Sequence, residues 1–358
     1  PAPCCLLIDP SCPGSAIVVI TLHLVAIDPV PAIGQFGGAS DLHTGVKSTI
    51  HLHLIFQDKI AVHFLGGHES IRCLCPGYPD HLPVFHPVLG NTYTKAVSDG
   101  VEDSAAKMGG SVEVFGSDPP FDATSQSNQI QDAIVSGNFD VFVIYAVDGN
   151  AVVPDVEDAI EAGIKVIAAD VVIGPDARTY EPCCGIESYI GRTGIDHGTF
   201  LGDMIVRACD TVEEKPCKVG YLNGVQALTI DQDRVEAIET VLQDHPDIEI
   251  VANQEAFYLQ DAGYEVAQNM LQANPDIDVF ATSGDQMMLG AEQAVIDAGQ
   301  EGQILLLGNG TGERGYEAMK EGRFWADYAD IPYTMGQIAG EIAIEAVRGE
   351  EVPRSVKN

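Results

Sequence analysis

Short apolar runs alternate with longer segments of helical period along most of this sequence, from Asn91 onward. The runs are predominantly apolar and not regularly alternating, which is typical of parallel strands covered by helices on both faces. They occupy 111–115, 141–145, 165–169, 218–222, 248–252, 279–281 and 304–307. The pattern predicts an α/β fold of doubly wound parallel sheets, whose ligands bind beyond the carboxyl ends of the strands.

The helical segments between these runs have recognisable boundaries. They occupy 123–136, 153–162, 230–242, 262–273 and 287–298. Asp122 and Asp261 precede two of them and are predicted N-caps. Gly137, Gly163 and Gly299 follow three helical runs, at the position where a left-handed residue commonly ends a helix.

The balance of charge excludes one class of partner. The chain has 358 residues, with 53 acidic and 18 basic side chains and a formal net charge of −35. Affinity for nucleic acid depends on neutralisation of phosphates by Lys and Arg, so no nucleic-acid partner is expected. The 46% apolar content is enough for a large core, and the length predicts two domains.

Residues 1–85 differ from the rest in composition. Only three basic and six acidic side chains occur in 1–90, so almost all of the net charge lies later in the chain. We interpret 1–85 as an atypical or poorly structured segment, either sequence from a misplaced start or frame or a small irregular extension. Pro83 and Pro87 make 81–89 a poor candidate for an interior strand.

Five stretches carry a resemblance to a known family. They are 91–100 (NTYTKAVSDG), 126–131 (QSNQIQ), 164–170 (IKVIAAD), 283–291 (SGDQMMLGA) and 308–311 (GNGT). In order and spacing, the chain after residue 85 resembles the type I periplasmic sugar-binding proteins, the ribose-, xylose- and galactose-type receptors of ABC importers. The resemblance implies two Rossmann-like doubly wound lobes with a ligand cleft. The first lobe would comprise 86–190 and 309–335, and the second 191–308 and 336–358.

The function implied by the resemblance is that of a substrate-binding receptor. Such a protein captures a monosaccharide or related small polar ligand by lobe closure and delivers it to an ABC transporter permease. The resemblance further implies a monomer outside the cytoplasm, in the periplasm or at the cell surface, with no catalytic activity, cofactor or metal.

Sugar recognition needs side chains that pair with hydroxyl groups and rings that cover C–H faces. The family's pattern places such side chains at strand ends and in the loops that follow. For Tyr93, a half-buried aromatic at the start of a helix is an equal alternative to stacking on ligand. The expected ligand-binding residues are Asn91, Tyr93, Asp170, Asp196, Arg234, Asp285, Asn309 and Asp330.

Three other expected residues have a structural alternative. Asp170 and Asp196 could instead cap the loop or helix that follows each of them. Arg234 could instead be a surface residue paired with Asp231 or Glu236.

The chain also departs from the family's pattern. Gly284 stands where the family commonly has Asn, Asn309 where it has Asp, and Asp330 where it often has Gln. These changes keep a polar cleft but alter its donors and acceptors, so the identity of the sugar does not transfer.

Two further motifs are discounted. The glycines of 308–315 lack the spacing of a dinucleotide-binding loop. His51, His53, His63 and His68 lie in the atypical segment, where no scaffold for a metal is evident.

The cysteines leave one question open. Cys209 and Cys217 could close a small disulfide loop or remain buried thiols. Cys183 and Cys184 are adjacent, and we do not expect them to pair with each other.

Two other functions remain as alternatives. One is the ligand-binding core of a LacI-type transcription regulator, which would need a basic DNA-binding headpiece that 1–90 does not provide. The other is an enzyme on a doubly wound fold, although neither a nucleophile elbow nor a phosphate loop is present.

Overall fold

The computed structural model describes residues 23–24, 50–51 and 81–358. Contacts divide the chain into two units, 1–78 and 79–358. Within the first unit, strands β1 (His23–Leu24) and β2 (Ile50–His51) pair antiparallel. The other predictions for 1–80, including that His53, His63 and His68 bind no metal, concern residues outside those described.

The second unit contains two parallel sheets, and we call each sheet with its helices a lobe. The strands of the first lobe are β3 (His81–His86), β4 (Ser111–Gly116), β5 (Val141–Ile144), β6 (Lys165–Ala169), β7 (Ser188–Ile190) and β13 (Ser355–Val356). Its helices are α1 (Thr92–Met108), α2 (Ala123–Ser136), α3 (Val153–Glu161) and α9 (Pro332–Val347). The strand order is β13-β7-β6-β5-β3-β4, with every pairing parallel.

The second lobe has five strands in the order β12-β11-β10-β8-β9, again all parallel. They are β8 (Cys217–Asn223), β9 (Ile248–Glu255), β10 (Val279–Thr282), β11 (Leu305–Asn309) and β12 (Ala326–Tyr328). The helices of this lobe are α4 (Gly194–Cys209), α5 (Thr229–Leu242), α6 (Gln260–Ala273), α7 (Asp285–Asp297) and α8 (Glu313–Lys320).

Strand β5 shows why the apolar runs are continuous. Val141 and Val143 pack in the core beneath α1 and α9, whereas Phe142 and Ile144 pack on the opposite face with α2 and α3. Successive side chains of a strand point to opposite faces, and both faces of this sheet are covered. The predicted doubly wound α/β fold is therefore confirmed.

Strand β3 corrects the boundary placed at residue 85. The segment 81–86 is an interior strand that lies between β4 and β5, although it contains Pro83. β5 pairs with β3 only at Val84 and Phe85, so the proline lies where only β4 pairs with the strand. A missing N–H is tolerated at such a position.

The C-terminal segments belong to different lobes from those predicted. Residues 309–328 stay in the second lobe, because β12 pairs with β11. Helix α9 packs on α1, and β13 pairs with β7, so both belong to the first lobe. Assigning 309–335 to the first lobe and 336–358 to the second was therefore wrong. The chain passes between the sheets at 191–193 and at 329–331.

Most of the predicted helix boundaries are confirmed. The Asp122 side chain accepts a hydrogen bond from Ser125 N, and Gly137, Gly163 and Gly299 have positive φ. The N-cap prediction for Asp261 is wrong. Helix α6 begins at Gln260, two residues before the predicted start at 262, so Asp261 lies in the first turn, where an acidic side chain interacts favourably with the helix dipole.

Both cysteine pairs form disulfides. Cys209 and Cys217 join the end of α4 to the start of β8. Cys183 and Cys184 are also bonded to each other, contrary to our expectation. Cys184 adopts a φ of 60°, and this left-handed turn brings the adjacent side chains together.

Helices α1 and α9 approach each other closely through glycines. A Cβ added at Gly336 would lie 2.1 Å from Val97 O, and one added at Gly100 would lie 2.1 Å from Tyr333 O. Backbone atoms cannot move aside as a flexible side chain can, so neither position has room for a side chain.

We therefore expect Gly336→Ala to lower the free energy of unfolding by about 1–3 kcal/mol through overpacking. Urea unfolding followed by circular dichroism measures this loss. Glu341→Ala on the exposed face of the same helix is the control, with an expected effect within about 0.5 kcal/mol. Equal stability of the two variants would contradict the close packing of α1 on α9.

Candidate functional site

A cavity of about 550 Å³ lies between the two lobes. Its walls come from the segments that follow β3, β4, β5 and β6 in the first lobe and β8, β9, β10, β11 and β12 in the second. In parallel sheets these are the carboxyl ends of the strands, where ligands of doubly wound folds bind.

Contacts between the lobes surround this cavity. Thr229 Oγ1 donates to Asp148 Oδ2 at 3.0 Å, and Gln286 Nε2 donates to Thr92 Oγ1 at 3.0 Å. Arg178 pairs with Glu236 across the lobes. These links hold the lobes in a closed arrangement around the cavity.

Tyr93 lies between two acidic side chains of the cavity wall. Its hydroxyl oxygen is 2.8 Å from Asp170 Oδ1 and 2.7 Å from Asp330 Oδ2. A phenol has one proton, so it can donate to only one carboxylate at a time. The second contact is favourable only when that carboxyl group carries a proton of its own.

Burial raises the pKa of both carboxyl groups. Asp170 and Asp330 are only 7% and 8% exposed. Burial is the main cause that raises the pKa of Asp330 to about 7, and the charge of Asp170 adds to it. Burial likewise raises the pKa of Asp170, against hydrogen bonds from Tyr145 and Tyr93 that favour its ionised form. The two aspartates therefore hold a proton between them near neutral pH.

Asp170 also has an unusual backbone conformation. Its φ is 63°, in the left-handed region, which Asp tolerates better than most residues. The backbone is held there by Asp170 N, which donates to Ile190 O, and by Tyr189 Oη, which donates to Asp170 O, both at 2.8 Å. These bonds fix the position of the carboxyl group at the end of β6.

Arg234 is the cationic side chain of the inner wall. It is 6% exposed, and its Nη1 donates to Asp231 Oδ1 and to Tyr258 Oη, each at 2.7 Å. The alternative of a surface residue is therefore wrong, although the pairing with Asp231 is present. Glu236 pairs instead with Arg178.

Tyr258 is seated on two glycines of the second lobe. A Cβ at Gly224 would lie 2.3 Å from the Tyr258 ring, and one at Gly284 would lie 3.0 Å from it. A larger residue in either place would displace the ring. Gly284, the departure from the family's Asn, therefore gives this tyrosine its place in the cavity wall.

Asp285 faces a second acidic side chain, Asp327. Asp285 Oδ2 accepts a hydrogen bond from Gly312 N at 2.7 Å. A Cβ at Gly315 would lie 2.3 Å from Asp285 Oδ2 and 2.9 Å from Asp327 Oδ2, so this glycine lets α8 approach the pair. Burial and the neighbouring Asp285 raise the pKa of Asp327 to about 8, and burial raises that of Asp285.

Asn91 and Asn309 are held at two strand ends. Asn91 caps α1, since its Oδ1 accepts from Tyr93 N at 2.7 Å, while its Nδ2 donates across the cavity rim to Tyr258 O at 3.3 Å. Asn309 ends β11 and is 4% exposed. Both line the cavity.

Asp196 lies outside the cavity lining. Its carboxylate accepts a hydrogen bond from Tyr180 and is 3.6 Å from Lys357 Nζ. It does not cap α4 either, because Thr193 is the N-cap, and Thr193 Oγ1 accepts from Asp196 N at 3.1 Å.

The fold thus brings seven of the eight expected residues to one cavity and leaves out Asp196. The sequence reasoning missed three aromatic side chains that also line it, Phe121, Tyr145 and Tyr258. Tyr145 carried a usable signal, since it directly follows the apolar run of β5. Phe121 and Tyr258 lie in loops and had none.

The chain matches a family model described as a periplasmic binding protein domain over residues 83–351. It is 25% identical over 268 residues to the ribose import binding protein RbsB of Bacillus subtilis, covering 75% of this chain and 82% of that protein. It is 28% identical over 332 residues to the D-ribose/D-allose-binding protein of Pseudomonas aeruginosa, covering 93% of each chain.

Solved structures share the fold. A periplasmic solute-binding protein of an ABC transporter from Actinobacillus succinogenes, with bound D-allose, superposes with a TM-score of 0.69 at 23% identity, covering 78% of this chain and 95% of that one. A myo-inositol-binding protein from Caulobacter gives a TM-score of 0.69 at 22% identity, covering 79% and 93%.

The buried pair Asp285–Asp327 makes stability depend on pH. Because Asp327 has a pKa raised from 3.8 to about 8 in the folded state, its contribution is fully present below about pH 4 and is lost as pH rises through 8. We expect Asp327→Asn to remove this loss, which amounts to at most about 1.4 kcal/mol per pH unit.

Urea unfolding at about pH 5 and about pH 8 checks the expectation. The variant should gain stability relative to the parent at the higher pH. Asp244→Asn, at an exposed position, is the matched control and should keep the parent's pH dependence. A parallel response of Asp327→Asn and the parent would contradict a raised pKa of Asp327 in the folded protein.

Proposed function

This chain belongs to the periplasmic binding protein family, and from that membership we propose that it is the substrate-binding receptor of an ABC importer for a monosaccharide or a related small polar ligand. The observation that carries the proposal is the cavity between the lobes, in which acidic, amide, guanidinium and aromatic side chains converge. Hydroxyl groups of a sugar pair with the polar side chains, and its C–H faces pack on the rings.

The names of the relatives support the proposal of a sugar receptor for import. They are import binding proteins for ribose and binding proteins for ribose and allose. The LacI-type alternative is not favoured, because these relatives bind cargo for import. We propose binding without catalytic turnover, in keeping with a family of binding proteins.

The ligand shell proposed here is the set of expected residues that reach the cavity. Asp170, Asp330 and Arg234 would pair with hydroxyl groups, and Tyr93, Tyr145 and Tyr258 would cover the ring. Charged groups make stronger hydrogen bonds than neutral ones. The shell also includes Asn91, Asp285 and Asn309.

Partner and location follow from the same role. We propose that the closed form is a monomer that docks on a permease outside the cytoplasm, in the periplasm or at the cell surface. Two disulfides suit an oxidising compartment. Among the residues that the structure describes, none of the helices is both long and apolar enough to cross a bilayer.

Isothermal titration calorimetry of the purified protein against a panel of pentoses, hexoses and cyclitols tests the proposal. We expect saturable binding of at least one of them, a rise in melting temperature with ligand concentration, and no chemical change in the recovered sugar. Tight binding of amino acids or nucleobases alone would overturn the sugar assignment.

A matched pair of variants tests the site. Asp170→Asn should weaken binding by about 10- to 100-fold, the usual loss for a hydrogen bond to a charged group. The same change at Asp196, outside the cavity lining, should leave affinity within about twofold. Calorimetry with the best ligand of the panel measures both, and the reverse order of effects would contradict this assignment.

Asp285→Ala extends the test, since unchanged affinity would remove Asp285 from the shell.

A further inference from the structure

More acidic than basic side chains are buried in the wall of the cavity. Three aspartates reach its inner wall, Asp170, Asp285 and Asp330, against one arginine, Arg234. Glu313 and Arg314 also line it but are exposed at the rim. This surplus of acidic side chains matters because burying a charge away from water without a partner costs free energy.

Arg234 does not balance the surplus. Its guanidinium is bonded to Asp231, which is 0% exposed and lies behind the cavity wall. The guanidinium is therefore already paired with an acid that is not part of the cavity lining. In the part of the chain that the structure describes, Asp285 is not paired with a cation either, because its side-chain neighbour is the carboxyl group of Asp327.

Asp170 and Asp330 form no direct ion pair with a Lys or Arg of the described residues, although the charge of Arg234 lowers the pKa of both. Among residues 81–358, no Lys or Arg nitrogen lies within 4.0 Å of either carboxylate, and the common neighbour of the two is the neutral Tyr93 hydroxyl. His197 Nε2 is 3.8 Å from Asp330 Oδ2. Burial, with Arg234 and Arg192 nearby, lowers the pKa of His197 well below its usual value, so the ring is neutral.

We propose that the cavity selects a polyol that carries an ammonium group, such as an aminated monosaccharide or cyclitol, with the ammonium held between Asp170 and Asp330. This inference rests on the proposed function and names the ligand class of the same site.

An ammonium group fits the geometry of the two carboxylates. It brings three N–H donors and a positive charge, whereas a sugar hydroxyl brings one proton and no charge. The ammonium group replaces the proton that the two acids otherwise hold between them. Both carboxylates are then ionised, and each is paired with the ammonium. Tyr145 and Tyr258, which also line the cavity, offer aromatic faces that attract cations.

Calorimetry with matched sugars tests the proposal on the full chain. The pairs are glucosamine and glucose, galactosamine and galactose, mannosamine and mannose, and an aminocyclitol and inositol. In at least one pair the amino member should bind about tenfold or more tightly, as expected for a charge-assisted pair. Equal or tighter binding of the neutral member in every pair would overturn the inference and leave the proposed function intact. If no member of any pair binds, the inference fails, and the wider panel with pentoses decides the proposed function separately.

The number of protons released on binding gives an independent test. Ionisation of Asp330 on binding should release a proton at about pH 6, below its pKa of about 7, seen as different heats in two buffers of different ionisation enthalpy. The neutral sugars should release none. The groups that face Asp330 are Asp170, Tyr93, His197, Arg234 and Arg192.

Asp330→Asn removes one charge with little change in shape. The preference for the amino member should fall by about tenfold, while binding of the neutral member persists and reports that the variant is folded. Asp244→Asn at an exposed position should keep the preference. An unchanged preference in Asp330→Asn would overturn the inference, as would calcium chloride that competes with the amino sugar, because the pair would then be a metal site.

Discussion

The burial of carboxyl groups with few cations is the constraint on which the cavity depends. A buried carboxylate must find a positive partner or hydrogen-bond donors, or else take up a proton. This chain uses all three solutions. Asp231 has Arg234, Asp170 accepts from two tyrosines, and Asp327 retains its proton to a pKa of about 8. The arrangement makes the site and its surroundings sensitive to pH near neutrality, since Asp330 also titrates at about 7.

Glycines allow these acidic and aromatic groups to come together. Gly224 and Gly284 leave room for the Tyr258 ring, which in turn hydrogen-bonds to Arg234 and Asp231. Gly315 gives α8 its approach to the second acidic pair. Side chains at these positions would close the space that the functional groups occupy, because an added Cβ would lie at or below the shortest normal contact distance from them. The shape of the cavity therefore depends on residues that have no side chain.

The two passages of the chain between the sheets explain how the lobes can form one site. Segments 191–193 and 329–331 link the lobes, and Asp330 lies in the second of them. Its carboxyl group contacts Tyr93 of the first lobe. A residue of the connection is thus part of the cavity wall, so movement of the lobes about these connections would change the distance of Asp330 from Tyr93 and Asp170 of the first lobe. Under the proposed function, contact of the ligand with Asp330 would couple binding to closure of the lobes.

The sequence alone determined the type of fold and most of the elements between 111 and 307. Apolar runs identified the sheets as parallel and covered, a local feature that is read from neighbouring residues. The resemblance to a known family pointed to seven residues that reach the cavity. Only the tertiary structure placed α9 in the first lobe, left Asp196 outside the cavity, and joined Cys183 to Cys184. It alone brought Tyr258 to Arg234 and Asp327 to Asp285. The Tyr93 and Asp330 contact joins residues 237 positions apart, and such a distance in sequence is closed only by the packing of the lobes.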